Sequence, residues 1–247
     1  MSGRGRNPRR DGSPRWRRAR RALWLLALLP VLLVAGLVAW SRPPAPFEPR
    51  DRPLPPGPPP ERVAVLGTSL SARNDWPEAL EAALSDCLGR PAAVEVVARP
   101  GADSGWGLAQ VERVAALRPD VVAIEFAIND ADLVDGRSVS RARAVHDALL
   151  SELAALAPEA RLLLLTMSPA HGPRGWARPR LAAHYARYPG LARAHGAGLV
   201  DLYPRWLARP GWREALPDGL HPTDEAARAV ILPPLLDALA AGAAACR

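Results

Sequence analysis

The sequence predicts an α/β domain: three α/β/α layers built on a doubly wound, mainly parallel sheet of five strands. Three observations predict it. From residue 61 onward, short apolar runs alternate with longer amphipathic stretches, the pattern of strands joined by crossover helices. Several of the short runs are continuous in Val, Ile or Leu, as strands buried on both faces are. Polar, Gly-containing segments follow the ends of the runs, and in such sheets ligands bind outside the carboxyl ends of the strands.

Taken in order, the strand candidates are Arg62 to Leu66, Val94 to Ala98, Val121 to Phe126, Arg161 to Met167 and Leu199 to Leu202. Between them, helical periodicity covers Trp76 to Leu88, Leu108 to Leu117, Val139 to Leu156 and Arg178 to His195. A last helix, Asp224 to Ala241, begins after Thr223 as its N-cap and meets Pro233-Pro234, where a kink or break is expected. No internal repeat is visible.

The first sixty residues contribute no packed core. Residues 1 to 21 hold nine Arg and the single acid Asp11, the composition of a disordered basic tail. Residues 22 to 40, ALWLLALLPVLLVAGLVAW, are uncharged; as a helix they measure about 28 Å, close to the hydrocarbon thickness of a bilayer. Residues 41 to 60 hold ten prolines and read as a semi-rigid linker, leaving 61 to 247 as the folded domain. The basic flank belongs on the cytoplasmic side, which puts that domain on the periplasmic or extracellular side, anchored through 22 to 40. A cleaved signal peptide is the competitor, weakened by Trp40 between Ala39 and Ser41; Arg20-Arg21 also resembles a twin-arginine signal. Each alternative exports the same domain.

The net charge of +7 invites a nucleic-acid partner, but the charge is unevenly placed. Residues 1 to 60 carry twelve Arg and three acids, whereas 61 to 247 carry twenty Arg and twenty-two acids, with no Lys in the chain. The basicity is a topology signal, and no nucleic-acid partner is expected. Two cysteines, Cys87 and Cys246, fit a disulfide in an exported protein and no metal site.

The stretch VAVLGTSLSAR, 63 to 73, ends an apolar run on two hydroxyls. Ser69 or Ser71 as a helix cap explains this; Ser69 as a nucleophile explains it equally from these residues alone. A serine nucleophile needs a base, and the base needs a partner that fixes its tautomer. LPDGLHPT supplies both in one loop, with Asp218 three residues before His221. Acyl transfer also needs donors for a developing oxyanion, and the Ser69 N–H, the Gly101 N–H in RPGADSGWG and the Asn129 amide in FAINDA provide three.

In these blocks the sequence resembles the GDSL or SGNH hydrolase family over essentially residues 61 to 247. Gly67-Thr68-Ser69-Leu70-Ser71 matches the GDSL block with Thr68 where Asp is usual. Pro100-Gly101-Ala102-Asp103-Ser104 with Gly107-Leu108 resembles the glycine block, Ala127-Ile128-Asn129-Asp130 the G-x-N-D block with Ala127 replacing its glycine, and Asp218-Gly219-Leu220-His221 the D-x-x-H block. The resemblance implies a flavodoxin-like layered fold and a serine esterase in which Ser69, His221 and Asp218 are catalytic and Ser69, Gly101 and Asn129 form the oxyanion hole. It implies no cofactor and no metal. A G-x-S-x-G elbow fits less well, because position 71 is Ser and Asp218 sits beside His221.

Substrate contacts are expected from Trp106, His171, Arg174 and Trp176, whose loops also read as ordinary surface. His146, His184 and His195 fall in helices and read as packed or surface histidines; Asp130 is at most an orienting group for its loop. The expected reaction is hydrolysis of a small acyl ester, with deacetylation of an envelope carbohydrate or cleavage of a lipid ester as the forms considered. An O-acyltransferase acting on a glycan hydroxyl and a noncatalytic glycan-binding module are the alternatives.

Overall fold

The computed structural model describes residues 14 to 241, apart from the side chains of residues 14 to 23 and 25. Part of the expected basic tail and the whole of Cys246 lie outside these residues. The chain divides into two units, one ending at Trp40 and one beginning at Ser41.

The first unit contains α1 (Pro14–Trp40), with Pro30 inside it. Its side chains Trp24, Leu26, Leu28, Leu29, Val31 and Leu32 are exposed. Among the described residues no helix is long and apolar enough to cross a membrane. The membrane anchor expected over 22 to 40, and the membrane partnership through it, are therefore not supported by the structure.

The second unit is built on five parallel strands, β1 (Arg62–Gly67), β2 (Ala93–Ala98), β3 (Val121–Ile124), β4 (Arg161–Thr166) and β5 (Gly198–Asp201), in the order β2-β1-β3-β4-β5. All five expected strands form, each within two residues of its predicted ends. β3 and β5 are buried throughout and β1 and β4 from their second residue onward, the double-sided burial that continuous Val and Leu runs specify. The chain leaves β1 for β2 on one side and returns to β3 on the other, so the direction of winding reverses between β1 and β3. That is the switch point at which such sheets open a crevice.

The helices are α2 (Ser69–Ala72), α3 (Trp76–Leu88), α4 (Ser104–Leu108), α5 (Val111–Ala116), α6 (Ala127–Asp130), α7 (Val139–Leu156), α8 (Gly172–Trp176), α9 (Leu181–Ala186), α10 (Tyr188–Ala194), α11 (Leu202–Ala208) and α12 (Asp224–Leu239). One set, α3, α11 and α12, packs together, and a second set gathers α4, α5, α9 and α10 around α7. The helix expected over 178 to 195 is two helices, because Pro189 follows Tyr188 at the first turn of a new one. The break expected at Pro233-Pro234 does not occur; α12 runs through both. Thr223 caps it as expected, its side chain accepting from Ala226 N–H.

The Pro-rich segment is not a free spacer. Arg52 pairs antiparallel with Leu199, donating to its carbonyl at 2.9 Å and accepting at 2.8 Å. Asp51 Oδ1 accepts from Asp201 N–H at 2.8 Å, and its carboxylate takes two bonds from Arg205, at 3.0 and 2.6 Å. Arg161 further along the sheet donates to Pro58 O at 2.6 Å. Residues 50 to 58 thus strap the open edge of β5, satisfying backbone groups that an edge strand leaves unpaired. Prolines suit this role because an extended strap needs few donors of its own. A cavity of about 530 Å³ lies under the strap, lined by Phe47, Arg50, Tyr185 and Tyr203 among others and not by Ser69.

Candidate active site

Ser69 is the first residue of α2, 5 % exposed, immediately after β1. The helix cap is neither of the hydroxyls expected in that role. Thr68 caps it, in extended conformation, its Oγ1 accepting from Leu70 N–H at 3.2 Å. Ser71 turns away and donates to Glu125 Oε1 at 2.8 Å. Ser69 Oγ is left facing His221 Nε2 at 2.8 Å.

His221 arrives from the loop between α11 and α12. Asp218 Oδ1 accepts the N–H groups of Leu220 (2.9 Å) and His221 (2.7 Å), folding the loop back on itself, while Oδ2 stands 2.7 Å from His221 Nδ1. Gly219 permits the turn: its φ is +82°, and a Cβ there would lie 2.6 Å from His171 O. Since Asp218 is an acceptor, Nδ1 carries the proton and Nε2 presents its lone pair to the Ser69 hydroxyl. Burial works to raise the Asp218 pKa, but the bonds from His221 and Leu220 outweigh it and bring it to about 2.

The other two loops meet this pair at the same sheet edge. Gly101 adopts φ +76° in the turn after β2. Asn129, buried in α6 after β3, donates one amide hydrogen to Ala102 O at 2.8 Å, which ties its side chain to the Gly101 turn and leaves the second hydrogen without an acceptor among the described residues. The Ser69 and Gly101 N–H groups have no acceptor among the described residues. Two fixed backbone donors and one amide donor carried by the segments that follow β1, β2 and β3 are the equipment for binding a developing oxyanion.

Behind Asn129 lies a buried polar network that sequence reasoning did not assemble. Asp130 Oδ1 accepts the N–H and hydroxyl of Ser104 at 3.0 and 2.9 Å, and Oδ2 pairs with Arg187 at 2.8 Å. Burial raises the Asp130 carboxyl, with Arg187 opposing. The Tyr188 hydroxyl oxygen accepts from Phe126 and Ala127 N–H at 3.4 and 3.2 Å and meets His146 Nε2 at 3.1 Å. His146 Nδ1 lies 2.9 Å from Ala142 O, so the neutral Nδ1–H tautomer fits both partners, and burial together with Arg187 lowers its pKa to about 3. His146 and His184 are packed groups, as expected; His195 pairs with Asp147 at 3.0 Å. Arg187 carried no signal in the sequence, one arginine among many. Glu125 did carry one: an acid closing the apolar run VVAIEF is a charge where burial is expected.

The expected substrate contacts are placed as follows. The His171 ring is engaged by the Arg213 and Leu216 carbonyls, each 3.0 Å from Nε2, and the His171 backbone N–H donates to Gly219 O at 2.9 Å; the residue braces the Asp218–His221 loop. Trp106 is half-buried, edge-on to Phe126 at 6.4 Å with the Arg99 guanidinium 5.0 Å above it. Arg174 is exposed, and Trp176 is 38 % exposed on α8. Cys87 is half-buried in α3, while its expected partner Cys246 falls outside the described residues.

Residues 62 to 229 match the model of the GDSL-like lipase/acylhydrolase family. Among solved structures, the chain is similar to a lipase/acylhydrolase from Enterococcus faecalis, with 25 % identity, 72 % of this chain and 92 % of that chain covered and a TM-score of 0.62. It is similar to TesA at 25 % identity, 72 % and 97 % coverage and TM-score 0.56. The psychrotrophic esterase EstA from a Pseudoalteromonas species shares the fold, at 20 % identity, 72 % and 96 % coverage and TM-score 0.55. No curated protein sequence matches the chain. With the family model spanning the sheet, the Ser69 turn and the Asp218–His221 loop, the chain belongs to the GDSL-like lipase/acylhydrolase family and is a serine hydrolase acting on ester bonds.

Proposed function

We propose that the protein hydrolyses a small acyl ester through a Ser69–His221–Asp218 triad and an acyl-enzyme. The observation that carries this is the unbroken chain from Ser69 Oγ to His221 Nε2 (2.8 Å) and from His221 Nδ1 to Asp218 Oδ2 (2.7 Å), at the switch point of the sheet. As Ser69 Oγ attacks the ester carbonyl carbon, its proton passes to Nε2, and Asp218 stabilises the imidazolium without taking the proton. The carbonyl oxygen becomes the oxyanion, received by the Ser69 and Gly101 N–H groups and the free Asn129 amide hydrogen. Nε2–H then protonates the departing alcohol. Water repeats the sequence on the acyl-enzyme, returning the proton to Ser69 and releasing the acid.

An acyl group on an envelope carbohydrate, acetyl above all, or a lipid ester fits this chemistry and an exported domain. Export is supported by the uncharged run over 22 to 40 with nine Arg ahead of it, and by the exposed apolar side chains of α1. Labelling of the full chain with a fluorophosphonate, abolished by Ser69→Ala, tests the triad; a folded Ser69→Ala protein that still turns over an ester overturns it. A panel of acetylated sugars, short-chain esters and lysolipids assigns the substrate, and protease protection of the C-terminal unit in whole cells assigns its side of the membrane.

A further inference from the structure

We propose that Glu125 is a positioning residue for the nucleophile, clamping the turn that carries Ser69 to the end of β3 through Thr68 and Ser71. The carboxyl group is 1 % exposed and lies below the turn. Its Oε1 accepts the Thr68 N–H at 2.6 Å, the Thr68 hydroxyl at 3.0 Å and the Ser71 hydroxyl at 2.8 Å, and Oε2 lies 3.0 Å from the same Thr68 hydroxyl. Gly67 is the residue that lets it approach, because a Cβ there would collide with Glu125 Oε1 and lie 2.9 Å from Ser71 Oγ.

The turn needs such a clamp. α2 is four residues long, too short to fix its own orientation by helical hydrogen bonds. The bonds to Glu125 hold the residue before Ser69 and the residue two after it, so Ser69 cannot pivot about either side. Glu125 is fixed in turn, its N–H donating to Leu66 O at 3.1 Å across the sheet. The same residues account for Thr68 standing where a second carboxylate is usual in the family resemblance: a hydroxyl can donate to Glu125, whereas an ionised carboxylate there would face another at hydrogen-bond distance. The role is to hold geometry. Glu125 bonds to the neighbours of Ser69 and takes no proton from it.

This inference rests on Ser69 being the nucleophile, and the experiment separates the two. The full chain is compared with Glu125→Ala, Glu125→Gln and Ser71→Ala, each titrated with a fluorophosphonate so that turnover is expressed per reactive serine. A misplacement of about 1 Å costs about 10²-fold, so Glu125→Ala is expected to lose about 10- to 100-fold in kcat per labelled site with KM within about twofold. Gln retains an acceptor for the Thr68 N–H and Ser71 hydroxyl, so Glu125→Gln is expected to stay within about fivefold of wild type. Ser71→Ala deletes a single bond and is expected to lose several-fold in kcat at unchanged KM; it decides the matter if the alanine variant at 125 does not fold. Wild-type kcat per labelled site in Glu125→Ala, or in Ser71→Ala, overturns the proposal. A wild-type protein that the fluorophosphonate does not label overturns the nucleophile reading itself, and the positioning role with it.

Discussion

Ser69 lies among three hydroxyls in four residues, and their partners separate their uses. Thr68 caps α2, Ser71 bonds to Glu125, and only Ser69 meets His221. Replacing Ser69 or His221 by Ala is therefore expected to remove nearly all ester cleavage, and Asn129→Ala to lower kcat by about 10²- to 10³-fold through loss of one oxyanion donor. Steady-state kinetics on a chromogenic acetate ester checks all three; a kcat for Asn129→Ala within a fewfold of wild type would remove it from the oxyanion site. Asp218→Asn is expected to be severe because an amide can turn its NH₂ toward Nδ1 and favour the wrong tautomer. Glu125 adds a pH effect. Burial pushes its pKa from 4.5 up to about 7, against the bonds from Thr68 and Ser71. The nearby Tyr185 and Tyr188 hydroxyls are themselves raised by burial and stay neutral over this range. A carboxyl with a raised folded pKa favours folding most below its unfolded value, and that advantage is lost as pH rises toward 7, by about 3 kcal/mol at about 1.4 kcal/mol per unit. Urea unfolding at pH 5 and pH 7.5 is expected to show this loss in wild type relative to Glu125→Gln; parallel stabilities at the two pH values would contradict it. Three of the four blocks were legible in the sequence because each pairs a chemically special residue with a strand end, and the fourth because Asp218 and His221 stand three residues apart in one loop. The clamp beneath them was not, since it depends on which side chains share a buried space.

At the scale of elements, the strands were the most legible feature, because continuous Val and Leu runs have one use in a sheet covered on both faces. Helix boundaries were less so. The stretch 178 to 195 keeps helical periodicity across a break that Arg187 and Tyr188 use to point into the Asp130 network. The strap was illegible in kind: ten prolines specify an extended chain but not what it lies along. Its docking depends on Asp51 and Arg52 meeting β5 and Arg205, residues about 150 positions away in sequence. A protein beginning at Glu61 is therefore expected to be less stable than one beginning at Ser41. Losing six largely exposed hydrogen bonds at about 0.5 kcal/mol net each, about 3 kcal/mol in all, corresponds to a fall of about 6 to 12 °C in Tm for a domain of this size. The uncovered β5 edge is also expected to promote self-association. Thermal unfolding and sedimentation of the two proteins check this; equal Tm values would mean that the strap lies on the edge without stabilising it.

Across the whole molecule, the division of charge at residue 60 and the two cysteines both bear on compartment, and the cysteines give the sharper test. Cys87 lies near the end of α3, which packs against α12. Cys246 follows the end of α12 at Leu239 by seven residues, and seven residues of chain reach up to about 24 Å. α3 thus packs against the helix after which the C-terminal segment begins. We expect the two to pair once the domain has reached an oxidising compartment. A bridge between them closes a loop of about 160 residues, worth about 5 kcal/mol in the chain-entropy model, less any strain. For a domain of this size that corresponds to a fall of about 10 to 20 °C in Tm on reduction. Non-reducing peptide mapping of full-length protein exported by its host is expected to yield a linked Cys87–Cys246 peptide. Complete alkylation of both thiols without prior reduction would reject the bridge, and with it the one covalent argument that this esterase works outside the cytoplasm.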